Sequence, residues 1–142
     1  TKEGGLFSIR VPTSMDAKEE GRIENSEGQV FDSGQGEETT WGVQAAWVDY
    51  SGPLANGEQW GHTVVDHPAN PRYPTYWHVR GYGLFTANPF GVHDYKGDDS
   101  IDESMTIPAG DAALFRYRLI IHPGRGVSEP RIGELIEEFN AL

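Results

Sequence analysis

Three of the five histidines, His62, His67 and His78, fall between Trp60 and Gly91, and His93 follows two residues later. The same stretch holds Trp60, Trp77, Arg72, Arg80 and the loop Pro68-Ala-Asn-Pro-Arg-Tyr-Pro74. Imidazoles exchange protons near neutral pH. Proline fixes its own φ and restricts the residue before it, so such a loop holds neighbouring side chains at little entropic cost. Asp66-His67 leads into the loop and His78-Val-Arg80 leads out of it. In an extended strand positions 78 and 80 share a side. A guanidinium beside an imidazole favours the neutral, proton-accepting ring. We therefore assign His78 as a general base or acid, with Asp66 and His67 as its partners. Arg80 would orient a substrate oxygen or stabilise developing negative charge. The competing reading is structural, with Arg80 paired to Asp66 and His78 capping a carbonyl.

Aromatic residues crowd the same region: Trp47, Tyr50, Trp60, Tyr76, Trp77 and Tyr82. Their faces can stack on the apolar faces of sugar rings, and they can equally fill a sandwich core. Trp47, Trp77 and Tyr82 are expected to form a ring-stacking wall. Tyr50, Asp49, Asn88 and His93 are expected to contact ligand hydroxyls. His62 and His67 lie five residues apart and point to opposite sides of a continuing strand. The chain has no His-Glu-x-x-His and no His-x-His, so no metal is assigned, nor any cofactor. Gly81-Tyr-Gly-Leu-Phe-Thr lacks the third glycine of a dinucleotide fingerprint, and there is no Gly-x-Ser-x-Gly elbow.

These residues need strands to position them. Leu6–Val11 alternates with Phe7, Ile9 and Val11 inward, and Gly21–Ser26 and Gln29–Phe31 read as short edge strands. The acidic segment from Pro12 to Thr40 is otherwise a solvated loop. Trp41–Tyr50 reads as a strand, and Asn56-Gly57 suits a primed turn within a hairpin from about Val43 to Asp66. Tyr76–Val79 and Tyr82–Thr86 are short strands, and His93–Ser100 is a polar loop. Met105–Ile107 and Ala112–His122 form a last strand pair, with the face of Arg116 and Arg118 wet and the face of Phe115, Tyr117, Leu119 and Ile121 inward. Ser128 is a candidate N-cap followed by Glu129 and Pro130. Ile132, Leu135, Ile136 and Phe139 then recur at helical spacing. The expected fold is an all-β, mainly antiparallel sandwich with one C-terminal α-helix, in a single domain over residues 1–142.

Composition bounds the partners. The chain has 142 residues and a formal net charge of −11, with no basic stripe, which argues against nucleic acid and anionic membranes and suits a neutral, sugar-like ligand. It has no cysteine, which removes thiolate nucleophiles and Cys-based metal sites. No apolar run spans a bilayer and no signal peptide opens the chain, so a soluble protein is expected.

Three stretches resemble a known family: Trp47-Val-Asp-Tyr-Ser-Gly-Pro, Asp66-His-Pro-Ala-Asn-Pro-Arg-Tyr-Pro-Thr, and Trp77-His-Val-Arg-Gly-Tyr-Gly-Leu-Phe-Thr-Ala-Asn-Pro-Phe-Gly. With Phe115-Arg-Tyr-Arg-Leu-Ile-Ile-His-Pro-Gly and the terminal helix, they look like the C-terminal half of a bacterial family of unknown function carried under the label "methane oxygenase-like". The resemblance implies a larger domain, similar to the mutarotase-like supersandwich. Its upstream half bears a His-His-Arg-Gly-type motif that this chain lacks. It also implies an association with sugar-catabolic oxidoreductases. A site shared with that half, or with a second copy in a homo-oligomer, follows as an expectation. Three functions remain open: acid–base action on a neutral sugar or glycoside, non-catalytic carbohydrate binding, and the metal-dependent oxygenase or hydrolase that the label suggests.

Overall fold

The computed structural model describes residues 5–36, 38–127 and 130–142. They form two antiparallel sheets facing each other. The larger has the order β3-β2-β4-β5-β8, built from β2 (Arg22–Asn25), β3 (Val30–Asp32), β4 (Trp47–Pro53), β5 (Gln59–Asp66) and β8 (Tyr117–Pro123). The smaller has the order β1-β7-β6, built from β1 (Phe7–Arg10), β7 (Leu84–Ala87) and β6 (Trp77–Val79). Helix α1 (Val92–Lys96) follows β7, and α2 (Pro130–Asn140) ends the chain. No helix among the described residues is long and apolar enough to cross a membrane.

Side-chain alternation builds the core. Ile23, Val48, Tyr50 and Val64 from the larger sheet meet Trp77, Val79, Phe85 and Ala87 from the smaller one, all of them buried. Tyr50 also ties the layers through its phenol. The hydroxyl donates to the Gly81 carbonyl at 2.8 Å and accepts from the Ala17 amide at 3.2 Å. Burial pushes its pKa up to about 12, so the group stays a neutral donor. On the opposite side of the larger sheet α2 lays Ile132, Ile136 and Phe139 against Val65 and Ile120. The expected N-cap Ser128 and Glu129 lie outside the described residues.

Asn56-Gly57 turns the β4–β5 hairpin with Gly57 at φ +86°, a conformation that glycine reaches without penalty. Four expectations change. Residues 41–46 are not strand apart from a single bridge, Gln44 with Tyr76; the chain turns repeatedly there. His93 lies in α1 rather than in a loop, and Gly97 closes that helix in the left-handed region. Met105–Ile107 forms no strand, and β8 pairs with β5 instead, from Trp60 opposite Pro123 to Asp66 opposite Tyr117. The faces of β8 change in part: Tyr117 packs on the core as expected and stacks on Phe7 at 5.4 Å, but the rest of its face does not follow. Helix α2 packs on Ile120 of the arginine side, where His122 is also buried, whereas Leu119 and Ile121 are 38% and 59% exposed. Arg118 fits beneath the helix because its guanidinium lies 4.8 Å from the Phe139 ring and donates to the Leu135 carbonyl at 2.8 Å. An amphipathic stem therefore served where a wet face was expected.

Candidate functional site

Because Trp77 and Val79 point into the core, His78 points outward, and the register extends that outer face across all three strands of the small sheet. Ser8 is opposite Thr86, and Thr86 is opposite His78. The Ser8 and Thr86 hydroxyls are 2.7 Å apart. One step along, Arg10 is opposite Leu84, and the Arg80 amide bonds the Leu84 carbonyl. Tyr82, 44% exposed, stands in the β6–β7 turn between the two arginines. The Arg10 and Arg80 guanidiniums lie 5.7 Å and 5.6 Å from its ring centroid. Arg80 also lies 5.6 Å from the Trp41 ring, so a strip runs Arg10, Tyr82, Arg80, Trp41.

Trp41 links the strip to His78. Their rings meet edge-on at 6.2 Å, and Tyr95 of α1 meets Trp41 at 5.4 Å and His78 at 6.2 Å. His78 is consequently buried beneath an aromatic cover. Beside it opens a cleft of about 420 Å³ lined by Lys18, Glu38, Trp41 and Arg80. One Glu38 oxygen takes Lys18 at 3.3 Å and the other is paired with the Arg80 Nε. The carboxylate is thus held between two cations with its position fixed, as a hydroxyl acceptor needs to be.

The other sequence-assigned residues lie elsewhere. Asp66, at the end of β5, closes the proline loop. It accepts the Asn70 amide at 2.7 Å and the Thr75 backbone N–H at 2.8 Å. Burial raises its pKa, and those two hydrogen bonds oppose the shift. His67 accepts the Ala69 N–H at 3.0 Å and packs edge-on against Phe139, on the α2 side of the larger sheet. Arg80 pairs with Glu38 rather than with Asp66. His78 and Arg80 therefore share a face as expected, whereas Asp66 ends a strand of the other sheet and His67 follows it. Trp77 is fully buried, with its indole N–H donated to the Ala45 carbonyl at 2.8 Å, and it has no surface to offer a ring. Trp47 packs against the α2 cluster. Tyr50 is a core residue. Asn88 is buried and accepts the Phe90 N–H at 2.9 Å. His93 lies 3.2 Å from Asp94 on α1.

Asp49 is wholly buried in a second polar group, on the α2 side of the larger sheet. Its Oδ1 accepts Thr63 Oγ1 at 2.7 Å and His122 Nε2 at 2.8 Å. Burial works against a charge on His122, but the hydrogen bond and charge of Asp49 outweigh it and raise the pKa above the usual imidazole value. His62 behaves oppositely: burial lowers its pKa, partly offset by Asp49. Among the described residues no group of three or more His, Asp or Glu side chains is arranged to hold a metal ion.

Arg10, Lys18, Glu38 and Trp41 were not assigned from the sequence. The signal for Arg10 was available, since it is exposed on a strand whose other face is apolar. Trp41 was hidden by reading it as strand. Its position depends on a turn that brings it over β6, and the Gly42 N–H bonds the Trp77 carbonyl there at 2.8 Å.

Fold and face together define an antiparallel β-sandwich whose small sheet carries an outward strip of arginines and aromatic rings. Residues 1–137 match the family described as a family of unknown function, DUF6807, and the chain belongs to that family. No curated protein and no solved structure matches it. The family match carries no activity and gives the "methane oxygenase-like" label no support.

Proposed function

We propose that the outer face of the three-stranded sheet binds a saccharide. The observation that carries this reading is the strip of Arg10, Tyr82, Arg80 and Trp41 beside the cleft that holds Glu38. Aromatic rings supply flat apolar contact for a sugar face. The fixed Glu38 carboxylate accepts from ring hydroxyls, and guanidinium N–H groups donate to ring and hydroxyl oxygens. Titration of the chain with a panel of oligosaccharides tests this. Binding is expected that weakens at least tenfold in Tyr82→Ala and Trp41→Ala, with the thermal midpoint of Tyr82→Ala kept within a few degrees. A panel that produces no binding heat overturns the reading.

Acid–base catalysis is the second reading, favoured by the presence of His78 on this same face beneath Trp41. Its carboxylate partner would be Glu38 rather than Asp66, since Asp66 is engaged in closing the 67–75 loop in the other sheet. Saccharide binding that survives His78→Ala, with no turnover in wild type, assigns the face to recognition alone.

A further inference from the structure

We infer that the saccharide recognised by this face carries carboxylates, as a uronic acid oligomer does; this rests on the saccharide reading above. The chain as a whole is strongly acidic, at −11, and taken as a bulk property that favours a neutral ligand. Charge is not felt as a bulk property at a surface site, because salt screens it over about 8 Å at physiological ionic strength. What matters is the local set, and here the balance reverses. Among the described residues, Arg10, Arg80 and Lys18 stand along the strip and its cleft, against Glu38 alone in the cleft lining. The nearby Asp16 carboxylate is turned back onto the Lys18 backbone N–H at 2.9 Å. Glu38 is shared between Lys18 and Arg80, so neither cation is fully neutralised by it. Arg10 is exposed, makes a 3.4 Å contact to the Tyr82 carbonyl, and has no carboxylate partner among the described residues.

Geometry adds to charge. Both guanidinium carbons lie within 5.7 Å of the one Tyr82 centroid. The two guanidiniums lie over that ring, so a sugar that meets the exposed part of Tyr82 meets both cations. A guanidinium presents two parallel N–H groups that match a carboxylate, whereas it gains far less from a hydroxymethyl group. The uronate carboxylate at C5 of the bound ring, or of its neighbour in the oligomer, is the substituent that satisfies Arg10. A neutral hexose leaves that fork to water.

Matched pairs of oligomers test the inference. Each pair has the same linkage and length and differs only in carboxylate against hydroxymethyl: galacturonate with galactose, glucuronate with glucose, mannuronate with mannose. Affinities are measured by calorimetry on the 142-residue chain at low and high NaCl. At least one acidic oligomer is expected to bind tenfold or more tightly than its neutral partner. That preference should shrink several-fold in high salt and disappear in Arg10→Gln, while Tyr82→Ala weakens both members of the pair. Neutral oligomers that bind as well as acidic ones, or a preference that Arg10→Gln leaves intact, overturn the inference and leave the saccharide reading standing. If no member of any pair binds, the saccharide reading itself falls.

Discussion

His122 reaches Asp49 across the bare Cα of Gly61, closing a 2.8 Å contact between the edge strand β8 and the interior strand β4. The pair is buried on both sides. His122 Nδ1 also lies 3.1 Å from the Pro123 carbonyl, so each ring nitrogen faces an acceptor, an arrangement that favours the protonated imidazole. Asp49 in turn is neutralised where no water can reach it. Removing one partner leaves an uncompensated buried charge, and His122→Ala is expected to cost about 3–5 kcal/mol, read from urea unfolding.

The same pair sets a pH dependence. His122 has a folded pKa raised above its ordinary value of 6.5. Its stabilisation is therefore complete below about 6.5 and is lost as pH rises through the raised value. His62, whose folded pKa is lowered, contributes in the opposite sense and costs stability as pH falls below 6.5. Urea midpoints across pH 5 to 9 should describe a dome. His122→Asn should remove the alkaline limb and His62→Gln the acidic one. An alkaline limb that persists in His122→Asn would contradict the assignment.

Gly61 is required by this arrangement because a Cβ there would overlap Cε1 and Nε2 of His122. Gly61→Ala is expected to destabilise by about 1–3 kcal/mol through overpacking. It should also abolish the alkaline limb by pushing the ring off Asp49. A control alanine at Gly57 meets no neighbouring atom, although its φ of +86° makes that change costly for a different reason and leaves the pH profile intact.

Asn70 acts as a stand-in for backbone. Its side chain donates to Asp66 and to the Arg116 carbonyl at 2.6 Å, and accepts the Arg116 N–H at 2.7 Å. It thereby extends β8 pairing beyond the end of β5. Asn70→Ala leaves the buried Asp66 carboxylate without its amide donor, and a loss of about 1–3 kcal/mol is expected. Amide hydrogen exchange should show the Arg116 and Thr75 amides losing protection before those of the β4–β5 hairpin.

Much of the sandwich was legible because alternation is a local property. Phe7 and Ile9, the Asn56-Gly57 turn and the Ile132–Phe139 stripe each declare themselves within a few residues. The inward Tyr117 of β8 was legible, but the covering of Ile120 and Arg118 was not, since it depends on where α2 docks, a choice made between segments and not within one. The candidate site divides in the same way. His78 and Arg80 share a side through strand geometry alone, and that was readable. Their neighbours Trp41, Glu38 and Arg10 come from β1 and from the turns before β4, and only the sheet order brings them there. Asp66 and His78 are close in sequence, yet the loop between them carries the chain from one sheet to the other. Sequence proximity therefore suggested a dyad that the fold does not assemble.

Trp41 packs against His78, Tyr95 and Arg80 and forms part of the cover over His78. Trp41→Phe should keep most of any saccharide affinity, and Trp41→Ala should lose at least tenfold, equivalent to about 1.4 kcal/mol. Trp41→Phe should keep the urea midpoint close to wild type, and Trp41→Ala should lower it through lost packing. Equal affinities in the two variants would show that the ring face is not used.

The most direct test of the account is to map a bound oligosaccharide on the chain by amide chemical shifts. The expected result is perturbation confined to Ser8–Arg10, Glu38–Gly42 and His78–Tyr82, abolished by Tyr82→Ala. Perturbation centred on other residues, or undiminished in Tyr82→Ala, would contradict the assignment of the outer face of the three-stranded sheet as the binding surface.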